Sequence, residues 1–226
     1  MFVLAAKIGE KLLILRKSYI IISMKQPVDE RLIKTVQVIG YLLSLNHSHK
    51  MNRVKLMKLL WAADRFHIRK YGRLITETDY YAMCHGPVSS LALDVAQVSN
   101  YALSDNDIQY IEQFFMANKE DTSMILSPGE DHLSKSDKEE LVRAWETFGS
   151  KETFDTADKI SHRYPEWSKF KKSFQSGDRR SKPIDIADFF KDPDGEDRFF
   201  NEDPEILVTS KEEYHDRQEL KDSLGI

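Results

Sequence analysis

Apolar positions recur at helical spacing near the start of the chain. Leu32, Val36, Ile39 and Leu43 alternate four and three apart, behind Pro27, Val28 and Asp29, which supply a helix start. The polar residues 46–50 separate this helix from a second over residues 52–71, which Gly72 ends as a C-cap glycine. Leu74-Ile75 and Tyr80-Tyr81-Ala82 flank a polar Thr-Glu-Thr-Asp centre, so residues 73–82 predict a short hairpin. Gly86-Pro87 predicts a turn that opens a helix carrying Val88, Leu91, Val95 and Val98. Ser136 with Glu139 has the spacing of a capping box ahead of Leu141, Trp145 and Phe148, and Gly149 stops that helix. Short helices are expected over residues 153–163 and 166–174. The acidic, proline-containing residues 185–205 predict a mostly mobile surface loop, followed by a last short helix over 211–224. The pattern predicts a mainly α (α+β) fold, a compact helical domain with one small antiparallel β-hairpin.

Residues 1–23 alternate apolar stretches with Lys7, Glu10, Lys11, Arg16 and Lys17, which lacks the clean apolar core of a signal peptide. Met24 stands directly before the first strong helix signal. The expected organisation is an N-terminal extension over 1–23, from a mis-called start, a helical domain over 24–191, and an acidic loop with a short helix over 192–226.

Composition narrows the function. Of 226 residues, 41% are hydrophobic and 31% charged, enough to bury a core. The net charge of −4 argues against broad binding to nucleic acid or anionic membranes. A lone cysteine, Cys84, cannot form an internal disulfide, and no uninterrupted apolar run spans a bilayer. The expected location is the cytoplasm.

On a helical wheel, Leu56, Met57, Leu60, Trp61, Ala63, His67, Ile68 and Tyr71 share one arc of the second helix. Lys55, Lys58, Arg65 and Arg69 share the opposite one. That basic arc is expected on a solvated face; it could instead meet the acidic loop within this protein or an acidic surface of a partner, and DNA contact, a third use, is disfavoured by the acidic chain and the lack of a helix-turn-helix pattern. Asp64 falls within the apolar arc, and a buried carboxylate needs dedicated donors. They could be backbone N–H groups near Gly86-Pro87, or Tyr80 or Tyr81. Alternatively Asp64 could be a general acid or base beside His67, but no further partner set for chemistry is evident.

Other constellations are weaker. Cys84-His85 could suggest a thiolate nucleophile, but a half-buried cysteine is the simpler reading. His47 and His49 have no further metal ligand close in sequence. Phe199-Phe200, flanked by acids, should either fold back onto the domain or anchor a partner. No cofactor is implied.

The run Lys55-Leu-Met-Lys-Leu-Leu-Trp-Ala-Ala-Asp-Arg-Phe-His67, then Tyr71-Gly-Arg, Tyr81-Ala and Gly86-Pro-Val, resembles the Panacea domain family, which includes SocA-like antitoxins and phage-associated proteins. Leu133-Ser-Lys-Ser-Asp137, Ser161-His162, Trp167 and Lys182-Pro-Ile resemble its C-terminal half, so the likeness extends over about residues 28–192. It implies a mostly helical fold and a non-enzymatic antitoxin that neutralises the toxin encoded beside it by direct contact. Family members face unrelated toxins, so the partner is not named. The family's namesake hands its toxin to the ClpXP protease, which makes a proteolytic adaptor the second reading. A hydrolase using Cys84 or Asp64 with a histidine is a third. Asp64, Tyr71, Gly72, Gly86 and Pro87 are expected to be structural, and Lys58, Arg65, Arg69, Phe199 and Phe200 to be candidates for touching a partner.

Overall fold

The computed structural model describes residues 27–99, 101–153, 159–195 and 199–225. The expected extension over 1–23 lies outside them. The first helix, α1 (Glu30–Ser44), starts where the Asp29 carboxylate accepts from the N–H groups of Arg31 and Leu32. A short strand, β1 (Lys50–Asn52), leads directly into α2 (Arg53–Tyr71), capped by the Asn52 side chain and ended by Gly72 at φ 63°. Around α2 pack α1, α3 (Ser90–Gln97), α5 (Lys135–Phe148) and α8 (Pro204–Leu224). The short α4 (Asp105–Ile111), α6 (Pro165–Ser168) and α7 (Lys171–Gln175) fill the connections. Every residue of α2 from Leu56 to Arg69 is buried. A helix enclosed on all sides is the centre of the core, not a wall of it.

Two three-stranded antiparallel sheets flank this helical body. One is β2 (Tyr80–Met83) between β3 (Gly86–Ser89) and β6 (Lys182–Pro183). The other is β5 (Asp121–Met124) between β1 and β4 (Phe115–Ala117). The fold is mainly α, as expected, with more β structure than a single hairpin. Strands of two to four residues carry too few positions to show an alternating pattern.

Several local expectations are corrected. The hairpin spans residues 80–89 rather than 73–82, and Cys84-His85 is its two-residue turn. Residues 75 and 76 make no ladder because their N–H groups are taken by Asp64. Gly86-Pro87 belongs to β3, and it is Ser89 that caps α3. The capping box of α5 is Ser134 with Asp137, two residues earlier than Ser136 with Glu139. The helix expected over 153–163 falls partly outside the described residues, and Ser161–Arg163 is a 3₁₀ turn. The acidic 185–205 stretch is not simply a loop. It holds a 3₁₀ turn, Ile186–Phe190, whose Phe189 and Phe190 are buried, and α8 begins at Pro204 rather than near Lys211.

The last helix is docked through a narrow line of contact. Only Ser210 is buried, flanked on the same face by the half-buried Leu207, Tyr214 and Gln218. Ser210 Oγ donates to the carbonyl of Arg69 at 2.6 Å. At this crossing a Cβ on Gly72 would lie 2.5 Å from the Ser210 carbonyl oxygen. Gly72→Ala therefore meets both an unfavourable positive φ and a backbone clash. It should cost about 1–3 kcal/mol and release α8, seen as faster proteolysis within residues 204–224 and a lower Tm.

Candidate functional site

The polar side chains of α2 converge on groups far away in sequence. Lys58 donates from Nζ to the carbonyl of Pro87 at 2.8 Å. A Cβ on Gly86, at φ 107°, would sit 2.6 Å from that ammonium, so Gly86 leaves the space the lysine occupies. Arg65 Nη1 bridges both carboxylate oxygens of Glu166, at 3.0 and 2.9 Å, while Nη2 donates to the carbonyl of Lys191. The Tyr164 ring lies 4.3 Å from the guanidinium carbon, and Trp61 Nε1 donates to the same carboxylate at 2.9 Å. Arg69 donates to the carbonyls of Phe189, Phe190 and Phe200 and to Asp192. Of the basic arc expected to be solvated, Lys55 is half-exposed but Lys58, Arg65 and Arg69 are each at most 2% exposed, and the alternative of meeting the acidic loop holds for Arg69 with Asp192. The correction has a physical reason, because the cations meet a carboxylate or backbone carbonyls that replace water.

Asp64 is wholly buried and accepts four hydrogen bonds. Oδ1 takes the N–H groups of Ile75 (2.6 Å) and Thr76 (3.3 Å), and Oδ2 takes Thr76 Oγ1 (2.9 Å) and Tyr80 OH (2.8 Å). Burial pushes its carboxyl up, against the downward pull of these donors. Tyr80 is one of the two tyrosines expected, whereas the Gly86-Pro87 backbone is served by Lys58 instead. His67 does not pair with Asp64. Its Nδ1 faces the Arg73 carbonyl, and its Nε2 faces Ser136 and Asp137. Asp137 is the hub of that corner. Burial pushes its carboxyl up, but His67, Lys34, the Ser134 N–H and Arg73 hold it well below the usual carboxylate range.

Phe199 and Phe200 fold back. Phe200 is 1% exposed, its ring 4.5 Å from that of Phe66 and 5.3 Å from Trp61, and Phe199 rests against Phe148. Of the two outcomes expected for the pair, the structure shows the folding back, which removes Phe200 as an exposed anchor and leaves Phe199 half-buried. Cys84 is half-buried in the hairpin turn, its Sγ 3.4 Å from Arg179 Nη1. His47 and His49 are exposed, and among the described residues no three His, Cys, Asp or Glu side chains are grouped to hold a metal ion.

A family model for the SocA-like antitoxin Panacea domain matches residues 56–168, half of the chain. The chain belongs to that family. No curated protein and no solved structure matches it. The span of the SocA-like domain runs from α2 through α6 and so includes Lys58, Asp64, Arg65, Asp137 and Glu166, the residues that tie the core together. Glu166 and Asp137 have no sequence signal for this role, because Arg65 lies 101 residues before Glu166 and His67 lies 70 residues before Asp137. Among the described residues no helix is long and apolar enough to cross a membrane.

What remains at the surface lies mostly outside the matched span. On α8, Ile206, Val208, Leu220 and Leu224 are 40–63% exposed. Leu220 and Leu224 border a groove of about 370 Å³ between α8 and residues 72–79, floored by Gly72, Leu74 and Tyr214. Met116 and Ile125 are exposed at the second sheet, and Tyr101 between α3 and α4.

Proposed function

We propose that the protein is an antitoxin that neutralises one protein toxin by binding it in near-equal amounts, without catalysis. It acts in the cytoplasm on a toxin encoded beside it, in the manner of a phage- or prophage-borne pair. The observation that carries this reading is the fate of the family's polar residues. Lys58, Asp64, Arg65 and Arg69 are spent on holding elements together, with Asp64 and His67 turned to separate partners. Family membership supports the antitoxin role, and the burial of the signature residues is our reason for seeking partner contact on other surfaces.

Titration tests it. Increasing amounts of the protein against a fixed amount of the neighbouring gene product should abolish toxicity only near equivalence, as expected for sequestration. Protection at a small fraction of the toxin would indicate an enzyme. Protection that vanishes in cells lacking a ClpXP-type protease would indicate delivery to proteolysis.

The apolar border of α8 is the surface we assign to the toxin, because protein interfaces centre on large apolar anchors. Leu220→Asp with Leu224→Asp should raise the Kd for the toxin at least about tenfold while leaving Tm unchanged, since both side chains are exposed. Unchanged affinity by calorimetry would remove α8 from the interface.

A further inference from the structure

The net charge of −4 averages over a very uneven chain. Residues 169–182 hold Lys169, Lys171, Lys172, Arg179, Arg180 and Lys182 against one acid, Asp178. The structure accounts for part of this charge. Lys169 pairs with Asp188, and Arg180 and Lys182 pair with Asp178. Lys171 and Lys172, exposed on α7, and Arg179, exposed in the turn after it, have no carboxylate within ion-pair distance among the described residues. That turn is tied to α7 by bonds from the N–H groups of Gly177 and Asp178 to the carbonyls of Phe174 and Ser173, so the cations share one small unit. A Cβ on Gly177 would meet nothing within 4 Å, which leaves the backbone open to close approach.

The character of the patch decides between partners. A protein interface needs apolar anchors, and every exposed large hydrophobic side chain among the described residues lies elsewhere. Two aromatic rings of this unit point inward, and the half-buried Phe170 has the Lys169 ammonium over its ring. Trp167 and Phe174 are stacked 5.5 Å apart and nearly buried, and Trp167 donates to the Met83 carbonyl. A surface of cations, serines and open backbone, with no apolar centre, matches the polar and positively charged character of nucleic-acid interfaces. With no fully exposed ring in residues 171–181 to stack on a base, contact falls on phosphates and carries no sequence information.

We propose that α7 and the following turn, residues 171–181, bind the sugar–phosphate backbone of nucleic acid without sequence preference. The inference is independent of the toxin-binding role and goes beyond it. Fluorescence anisotropy on the full chain tests it, with a labelled duplex DNA and a single-stranded RNA of about 20 nucleotides, at several salt concentrations from 50 mM upward.

Binding to either probe should weaken steeply with salt. Lys171→Glu with Lys172→Glu and Arg179→Glu should raise the Kd at least tenfold and reduce the slope of log K against log salt by roughly 2–3. Lys171→Gln with Lys172→Gln provides a milder version that keeps the fold. Lys211→Glu with Arg217→Glu, on exposed positions of α8, should leave binding unchanged. No binding at 50 mM salt would overturn the proposal, as would equal loss in the α8 control. Loss of toxin capture by the triple variant, with no nucleic-acid binding by the parent, would assign the patch to an acidic protein surface instead.

Discussion

Arg65→Ala is expected to cost about 3–5 kcal/mol, the loss seen when one partner of a buried ion pair is removed. The substitution leaves Glu166 wholly buried with Trp61 Nε1 as its remaining side-chain donor, and frees the Lys191 carbonyl. Its sign with pH follows from the carboxyl. Burial already pushes Glu166 up, against the pull of Arg65, and without the guanidinium it moves further up. The folded variant then keeps a proton that the unfolded chain releases near the ordinary glutamate value, so stability is present at low pH and lost as pH rises. Urea unfolding at pH 5 and pH 7.5 should show a smaller deficit, relative to the parent, at the lower pH. An equal deficit at both would mean that Glu166 stays ionised. Arg65→Met combined with Glu166→Gln should recover much of the loss, because the charge is removed while Trp61 keeps an acceptor.

Asp64→Ala is expected to have a comparable effect, roughly 3–5 kcal/mol. It orphans two backbone N–H groups and the Tyr80 phenol at once, and leaves the Thr76 hydroxyl only Thr78 as a partner. For a chain of this size that corresponds to a fall in Tm on the order of 10 °C. Asp64→Asn keeps the volume and one acceptor, and Tyr80 and Thr76 can rotate to accept from its amide, so its cost should be less than half as large. Thermal unfolding followed by circular dichroism measures both. If Asp64→Ala kept its Tm and lost toxin neutralisation, Asp64 would act at the partner and not in the core.

Local signals were legible where one residue and its near neighbours decide the outcome. Asp29 and Gly72 mark helix ends because capping involves residues at most a few places apart. The carboxylate at Asp64 was legible as a site needing donors, and Tyr80 as one of them, because an acid within an apolar arc has few alternatives. The fate of Lys58, Arg65 and Arg69 was not. A helical wheel assumes that a charged stripe faces water, and nothing local to those residues announces a glutamate at 166 or a row of carbonyls at 189–200. Phe199-Phe200 was legible only as two alternatives for a related reason. Acidic neighbours made the stretch look solvated, while the pair itself completes an aromatic cluster with Trp61, Phe66 and Phe148. The capping box moved by two residues because Ser134 and Ser136 offer competing starts, and only the Asp137 carboxylate, positioned by Lys34 and Arg73, decides between them.

The long reach of the α2 side chains has a consequence for synthesis. Arg65 is satisfied by a residue 101 positions later, Arg69 by a carbonyl 131 positions later, and the Arg69 carbonyl by a serine 141 positions later. A nascent chain that has released α2 but not yet residues 166–210 carries an apolar helix with cations that cannot be enclosed without their partners. The core therefore closes only when nearly all of the polypeptide has left the ribosome, and a prematurely terminated product lacks the groups that neutralise its own centre.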